Sequence, residues 1–279
     1  MVKNFLDPNE GLEFNAEFIY GNYFPHYSLI KIIEEIKNGT IGLVDFFNII
    51  EENCFILCIC TDQGCLVYAN DWTENAIDDL VLRIDFTRFR NWPFLGTRNL
   101  IVDMLTRHKI DYAIEKDRLV YVCEKVNEIS VSSGYASQSE VADLKRITDL
   151  THEYGLEEWG ERDGKGYDYT EGIVLSCIAE DKQVQWNDNG IFAIAQVMNL
   201  ENNMPVIGSL YTDTGKRKNG YASSLLYEVT SQLLDQGYSS VSLLSDVTNP
   251  TSNKIFDKVG YFPIYKYIIV KTISTTDNH

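Results

Sequence analysis

One run of apolar residues restricts the possible folds of this chain more than any other. Ala222, Leu225, Leu226, Val229, Leu233 and Leu234 stand at offsets 0, 3, 4, 7, 11 and 12, which is one face of a helix with 3.6 residues per turn. The spacing predicts an amphipathic helix ending near Gly237. An apolar strand over Val206 to Thr212 precedes it and a short one over Ser240 to Ser245 follows. Asn249-Pro250 then supplies an N-cap and a first-turn proline, Ile255, Phe256 and Val259 a buried face, and Gly260 a left-handed C-cap. Phe262 to Lys271 reads as a closing strand. Strands alternating with helices in this way make an α/β domain.

The loop ahead of the long helix, Asp213-Thr214-Gly215-Lys216-Arg217-Lys218-Asn219, lies where the backbone N–H groups of a helix N-terminus face outward. Gly220 lets an anion approach the backbone, and Lys216, Arg217 and Lys218 gather three cations in a chain of formal net charge -17. These residues read either as a phosphate site or as a solvated basic turn. Other phosphate sites are absent: there is no Gly-x-x-x-x-Gly-Lys-Ser/Thr loop, and no Gly-x-Gly-x-x-Gly follows a strand. The Gly-x-Ser-x-Gly and His-Glu-x-x-His hydrolase motifs are missing too, and His152-Glu153 lacks a second histidine.

The 279 residues and 44% apolar content suit two domains. The polar stretch from Val126 to Gly134 sets the expected division at 1–130 and 131–279. The first part reads as mixed α/β: a helix around Tyr27 to Lys37, strands at Phe55 to Cys60 and Cys65 to Tyr68 joined by Thr61-Asp62-Gln63-Gly64, a strand over Asp79 to Phe86, a helix over Thr97 to His108 and a strand over Arg118 to Glu124. Beyond the boundary come helices at Ser139 to Tyr154 and Thr170 to Ile178. Strands follow near Gln183 to Trp186, Ile191 to Leu200 and Val206 to Thr212, with residues Glu201 to Pro205 as a turn.

Six cysteines lie mostly in apolar, strand-like stretches, where thiols act as small hydrophobes, and none forms a Cys-x-x-Cys pair. No disulfide and no metal is expected. The acidic balance argues against a nucleic-acid partner and favours the approach of a cationic amine. No apolar run is long enough to cross a membrane, and the first residues lack a signal-peptide core, so no membrane partner and a cytoplasmic location are expected.

Arg217-x-x-Gly220-x-Ala222 resembles the Arg/Gln-x-x-Gly-x-Gly/Ala signature of the GNAT superfamily of acyl-CoA N-acyltransferases. The wider run Leu210-Tyr211-Thr212, then Arg217 to Ser223, is similar to the form found in its bacterial two-domain members. Asn249-x-x-Ser252-x-x-x-Phe256-x-x-x-Gly260-Tyr261 matches a second family element in spacing. The resemblance covers roughly Val131 to Lys271. It implies a GNAT-like acyltransferase fold preceded by a smaller α/β domain that is loosely like a degenerate copy without a CoA site.

The resemblance also implies an α+β mixed sheet splayed between its fourth and fifth strands, with the pantetheine arm of acetyl-CoA inserted there. The main chain of Leu210, Tyr211 and Thr212 would pair with that arm. Arg217, Lys218, Asn219, Gly220, Tyr221 and Ala222 would wrap the pyrophosphate, and Asn249, with Ser252 and Phe256 on the same helix, would line the pantetheine side. Two departures stand out. Lys218 replaces a glycine, which suits a residue with φ below zero. Phe256 replaces a tyrosine that protonates the departing thiolate in many members. The expected reaction moves an acetyl group to a primary amine, on a small molecule or a peptide, by direct attack in a ternary complex. No catalytic residue is fixed; Tyr211, Asp213 and Glu201 are candidates by position. The alternative on the same fold is a CoA-binding or sensing protein without turnover, and a pure interaction module is a third reading for the residues before about 130.

Overall fold

The computed structural model describes residues 1–86, 88, 92–160, 166–200 and 203–273. The chain forms two compact units: Met1–Val120 with Asp246–Thr248 and Tyr265–His279, and Tyr121–Ser245 with Asn249–Ile264.

The first unit opens with β1 (Val2–Asn4), α1 (Pro8–Phe14), α2 (Ala16–Gly21) and α3 (Tyr27–Lys37), followed by β2 (Leu43–Glu51), β3 (Cys54–Thr61) and β4 (Cys65–Ala69). Next come α4 (Glu74–Arg83), β5 (Pro93–Thr97), α5 (Arg98–Arg107) and β6 (Tyr112–Cys123), whose last three residues are counted in the second unit. Antiparallel hairpin pairing joins β2, β3 and β4, and β4 runs parallel to β5 from Cys65↔Phe94 to Val67↔Gly96. Apolar layers fill both faces of this sheet, with Phe47, Ile56, Val67, Leu80, Leu100 and Met104 in one and Ile19, Leu29, Ile33, Phe46, Leu57 and Tyr68 in the other.

Of the strand expected over Asp79 to Phe86, Asp79 to Arg83 are instead the second half of α4, and Ile84 is its C-cap. Thr73 caps that helix, its hydroxyl accepting from the Ala76 N–H at 3.1 Å. Ala76, Ile77 and Leu80 are the residues it buries, at helical spacing. Apolar and charged residues alternate from Leu82 to Phe86 as they would in a strand, but the Thr73 cap sets the helix.

The second unit contains β7 (Tyr135–Gln138), α6 (Leu144–Trp159), α7 (Tyr167–Ala179), β8 (Gln183–Asn187), β9 (Ile191–Met198), β10 (Val206–Thr212), α8 (Tyr221–Asp235), β11 (Val241–Asp246) and α9 (Pro250–Val259). β12 (Phe262–Thr272) starts here and passes into the first unit at Tyr265. The strand order is β11-β10-β9-β8-β7. Helix α6 begins at Leu144 rather than Ser139, because Glu140 and Asp143 form a capping box over a single 3-10 turn. Ile147 and Leu150 of α6 and Val174 and Ile178 of α7 pack on Ile194 and Tyr211 of the sheet.

All six cysteines are free thiols, five buried and Cys177 half-buried, and the described residues hold no His/Cys/Asp/Glu cluster able to bind a metal. Among them, no helix is long and apolar enough to cross a membrane.

Candidate functional site

Parallel β10 and β11 are in register at Val206↔Ser242 and Ile207↔Leu243, and no pairing between them is registered beyond those positions. On its other side β10 stays paired with β9 as far as Thr212↔Ala193. From Gly208 onward, therefore, one edge of β10 carries backbone donors and acceptors that no strand among the described residues satisfies, which is the edge an extended chain can pair with.

A bulge lies at the point of separation. Gly208 faces Gln196 and Tyr211 faces Ile194, so Ser209 and Leu210 together oppose Ala195 alone. Ser209 takes up the extra residue at φ 51°, and its hydroxyl donates to Gln196 Oε1 at 3.2 Å. A bulge of this type turns a backbone N–H out of the ladder.

The basic loop follows directly. Asp213 opens it, accepting from the Gly215 N–H at 2.8 Å and pairing with Arg146 of α6. Burial works against the Asp213 charge, but Arg146 and the Gly215 N–H outweigh it and hold the carboxyl below its usual range. Asn219 folds back, its side-chain N–H donating to the Lys216 and Arg217 carbonyls at 2.9 and 3.3 Å. Lys218 stands at φ 68°, not below zero as expected. The loop must reverse there, and a left-handed residue provides the reversal at a cost that glycine would not incur.

Gly220 is the N-cap of α8 at φ 83°, and no side chain caps the helix. The helix closes with Ser224 N–H on the Gly220 carbonyl at 2.9 Å, so the N–H groups of Tyr221, Ala222 and Ser223 have no partner within it. Ser132 buttresses this corner: its hydroxyl donates to the Asn219 carbonyl at 2.6 Å and its N–H donates to Ser224 Oγ at 2.8 Å. Beside it, Asp188 accepts from Ser133 at 2.6 Å and from the Tyr221 phenol at 2.8 Å, and both bonds hold its carboxyl below the usual range. Lys216 Nζ sits 4.3 Å from the Phe192 ring.

On the other side of the loop, Arg217 meets α6. Its Nη2 donates to both carboxylate oxygens of Glu157 at 2.7 and 2.8 Å, its Nε donates to the Thr212 carbonyl at 3.2 Å, and the guanidinium lies 5.1 Å from the Tyr211 ring. Tyr211 is 6% exposed, and its hydroxyl donates to Glu157 at 2.8 Å, with Glu153 Oε2 3.3 Å away. Burial, and then Glu157, push the phenol well above its ordinary pKa, so at neutral pH Tyr211 is a hydrogen-bond donor.

Asn249 uses its side-chain oxygen to cap α9, accepting from the Ser252 N–H at 3.1 Å. Phe256 is buried, with its ring centroid 5.6 Å from that of Tyr121 and 6.4 Å from that of Tyr261. Leu210 and Thr212 are half-buried on β10, while Glu201 lies outside the described residues.

The loop and the start of α8 thus bring together Asp213, Arg217, Lys218, Asn219, Gly220, Tyr221 and Ala222 next to the segment Leu210, Tyr211 and Thr212, where Arg217 holds the Thr212 carbonyl. Sequence reasoning missed Ser132, Arg146, Glu153, Glu157 and Asp188, which hold this arrangement. The one available signal was the i,i+4 spacing of Glu153 and Glu157 on one helix face.

Residues 192–270 match the family profile described as FR47-like protein. A search of curated proteins returns no significant match. Among solved structures, a GCN5-related N-acetyltransferase from Sphaerobacter thermophilus is similar at TM-score 0.60 and 14% identity, over 86% of this chain and 85% of that one. A GNAT-family acetyltransferase from Colwellia psychrerythraea is similar at TM-score 0.58 and 11% identity, over 98% of both chains. A tandem GNAT protein from the clavulanic acid biosynthesis pathway reaches TM-score 0.50 at 6% identity over 99% of both. At these identities the likeness is one of fold.

Proposed function

From a GNAT-superfamily assignment that rests on the profile match over residues 192–270 and on the shared fold, we propose that the protein transfers an acetyl group from acetyl-CoA to a primary amine by direct attack in a ternary complex. The observation that carries this reading is the parting of β10 from β11 after Ile207 and Leu243, which leaves a free strand edge leading straight into the basic loop. Pantetheine contains two amides and can pair with such an edge as a strand would. Its pyrophosphate then meets the unpartnered N–H groups of Tyr221, Ala222 and Ser223 together with Lys216 and Lys218.

In the reaction the amine nitrogen forms a C–N bond with the thioester carbonyl carbon, the C–S bond breaks, the sulfur leaves as CoA thiolate, and the proton shed by the nitrogen passes to water. A backbone N–H turned out at the Ser209-Leu210 bulge suits the oxyanion that forms on the way. A thiol of ordinary pKa, about 8.5, leaves readily without an acid, which fits a buried Phe256 that has no proton to give. Of the proton-acceptor candidates on β10 and its loop, Asp213 is tied to Arg146 and the Gly215 N–H, and Tyr211 keeps its own proton as a donor to Glu157, so the proton of the amine is read as passing to solvent. An acidic chain favours a cationic acceptor, and its soluble, cytoplasmic setting belongs to the same proposal.

The first unit is read as having no CoA site. There β4 and β5 stay paired through Val67↔Gly96, and the next backbone donor, the Ala69 N–H, is taken by Thr97 Oγ1 at 2.9 Å. Calorimetric titration with acetyl-CoA tests the proposal, together with thiol release against a panel of amines. One site in the wild type, lost in Gly220→Glu, and thiol release with at least one amine are expected. Absence of binding would sink the assignment. Binding without thiol release from any amine would favour a CoA sensor, the reading that Phe256 motivates.

A further inference from the structure

The Arg217 guanidinium lies among groups of its own fold. Nη2 is held by Glu157, Nε by the Thr212 carbonyl, and one face lies against Tyr211. Glu157 is itself anchored from below, since the buried Tyr211 hydroxyl donates to it. The three side chains form a closed junction between the end of β10, the basic loop and the last turn of α6. A second tie, Arg146 with Asp213, fastens the start of the same loop to the first turn of the same helix. Helix α6 therefore grips the loop at two points, Asp213 and Arg217.

Resting on the acyl-CoA reading above, we propose that Glu157 is a positioning residue: through Arg217 it fixes the loop in the shape that receives the pyrophosphate, and Arg217 acts as the loop's pin rather than as a phosphate ligand. Two physical arguments carry this. The charge of Arg217 is already matched by a carboxylate in direct contact, and an anion placed on the same guanidinium would stand against that carboxylate. The loop also has charge to offer without Arg217, in Lys216, Lys218 and the uncapped start of α8. The pair is half-exposed, at 43% for Arg217 and 48% for Glu157, so its effect is modest.

The test measures acetyl-CoA affinity by calorimetry, and KM and kcat with an amine that the wild type accepts, for Glu157→Ala, Arg217→Ala, the double Ala variant and the exchanged pair Glu157→Arg with Arg217→Glu. Each single Ala variant is expected to raise Kd and KM for acetyl-CoA about two- to fivefold while kcat stays within about twofold. The double Ala variant should be no worse than either single one, because both remove the same contact. The exchanged pair should return KM to within about twofold of wild type, which a phosphate ligand at position 217 would forbid.

Failure of the exchange, with Arg217→Ala much weaker than Glu157→Ala, would overturn the proposal in favour of a direct phosphate contact. Tighter binding in Glu157→Ala would overturn it by making Glu157 a competitor of the phosphate. A fall in kcat at unchanged KM would do so by making Glu157 part of the chemistry. A wild type that does not bind acetyl-CoA refutes the functional reading itself, an outcome distinct from all of these. Urea unfolding of each variant shows whether a loss reflects folding instead.

Discussion

Replacing Gly220 by alanine tests the loop where its geometry is tightest. At φ 83° an L-residue pays the left-handed penalty, about 1–2 kcal/mol. The added Cβ would also stand 2.6 Å from Ser132 Oγ, inside any real carbon–oxygen contact. Ser132 can rotate away, but it then gives up its bond to the Asn219 carbonyl, worth about 0.5–1.5 kcal/mol. Together these predict a loss of about 1.5–3.5 kcal/mol, read as a shift in urea midpoint at constant m-value. Adding Ser132→Gly removes the clash but not the backbone strain. The double variant should therefore not fall below Gly220→Ala by the full cost of Ser132→Gly alone, and the two sites should couple by about 1 kcal/mol. Acetyl-CoA affinity should fall with Gly220→Ala, because the first N–H groups of α8 turn with the cap. A Gly220→Ala protein within about 0.5 kcal/mol of wild type, or strict additivity with Ser132→Gly, would refute the reasoning.

Lys218→Gly should have effects of opposite sign on stability and on binding. Relief of the left-handed strain, about 1–2 kcal/mol, exceeds the extra entropy of a glycine, about 0.5–1 kcal/mol, so the urea midpoint should rise slightly; acetyl-CoA binding should weaken because the loop loses a cation, and calorimetry checks that half. In the first unit, burial lowers the pKa of His26 despite its contact with the Ile19 carbonyl at 3.1 Å. The unfolded chain therefore takes up the proton first as pH falls, so stability from this group is full above the unfolded pKa of about 6.5 and is lost on the way down to the folded value. The stability difference between wild type and His26→Gln should shrink as urea titrations move from neutral pH into that window, and a constant or growing difference would contradict it.

Much of the second unit could be read from the sequence because its signals are local. The helix over Tyr221–Asp235 follows from apolar spacing, and the helix over Pro250–Val259 from Asn249, Pro250 and Gly260, the last at φ 116°. The hairpin of β3 and β4 was visible for the same reason, with a polar turn between two apolar runs. Helix α4 is hidden in the sequence because its cap residue Thr73 precedes the strand-like run from Asp79 to Phe86. β2, whose buried middle from Phe46 to Ile49 has no polar alternation, carried no periodic signal and was not recognised. Unit membership is also a matter of tertiary contact: nothing in Phe262 to Thr272 tells that the chain passes back to the first unit at Tyr265.

In the site, the loop and its glycine were legible as a motif, but their supports were not. Glu157 lies 54 residues from Tyr211 and 60 from Arg217, and Ser132 lies 87 from Asn219. Only packing of α6 and of the segment before β7 brings them together. The φ of Lys218 was a tertiary outcome as well, since lysine does not favour the left-handed region by itself.

Backbone hydrogen exchange, followed by mass spectrometry with and without acetyl-CoA, tests the central claim most directly. If the cofactor pairs with the free edge of β10 and its pyrophosphate sits on the start of α8, peptides covering Gly208 to Thr212 and Lys216 to Ser223 should gain protection, and those covering β4 and β5 should not. Protection confined to the first unit, or absent from both segments at saturating acetyl-CoA, would contradict the account.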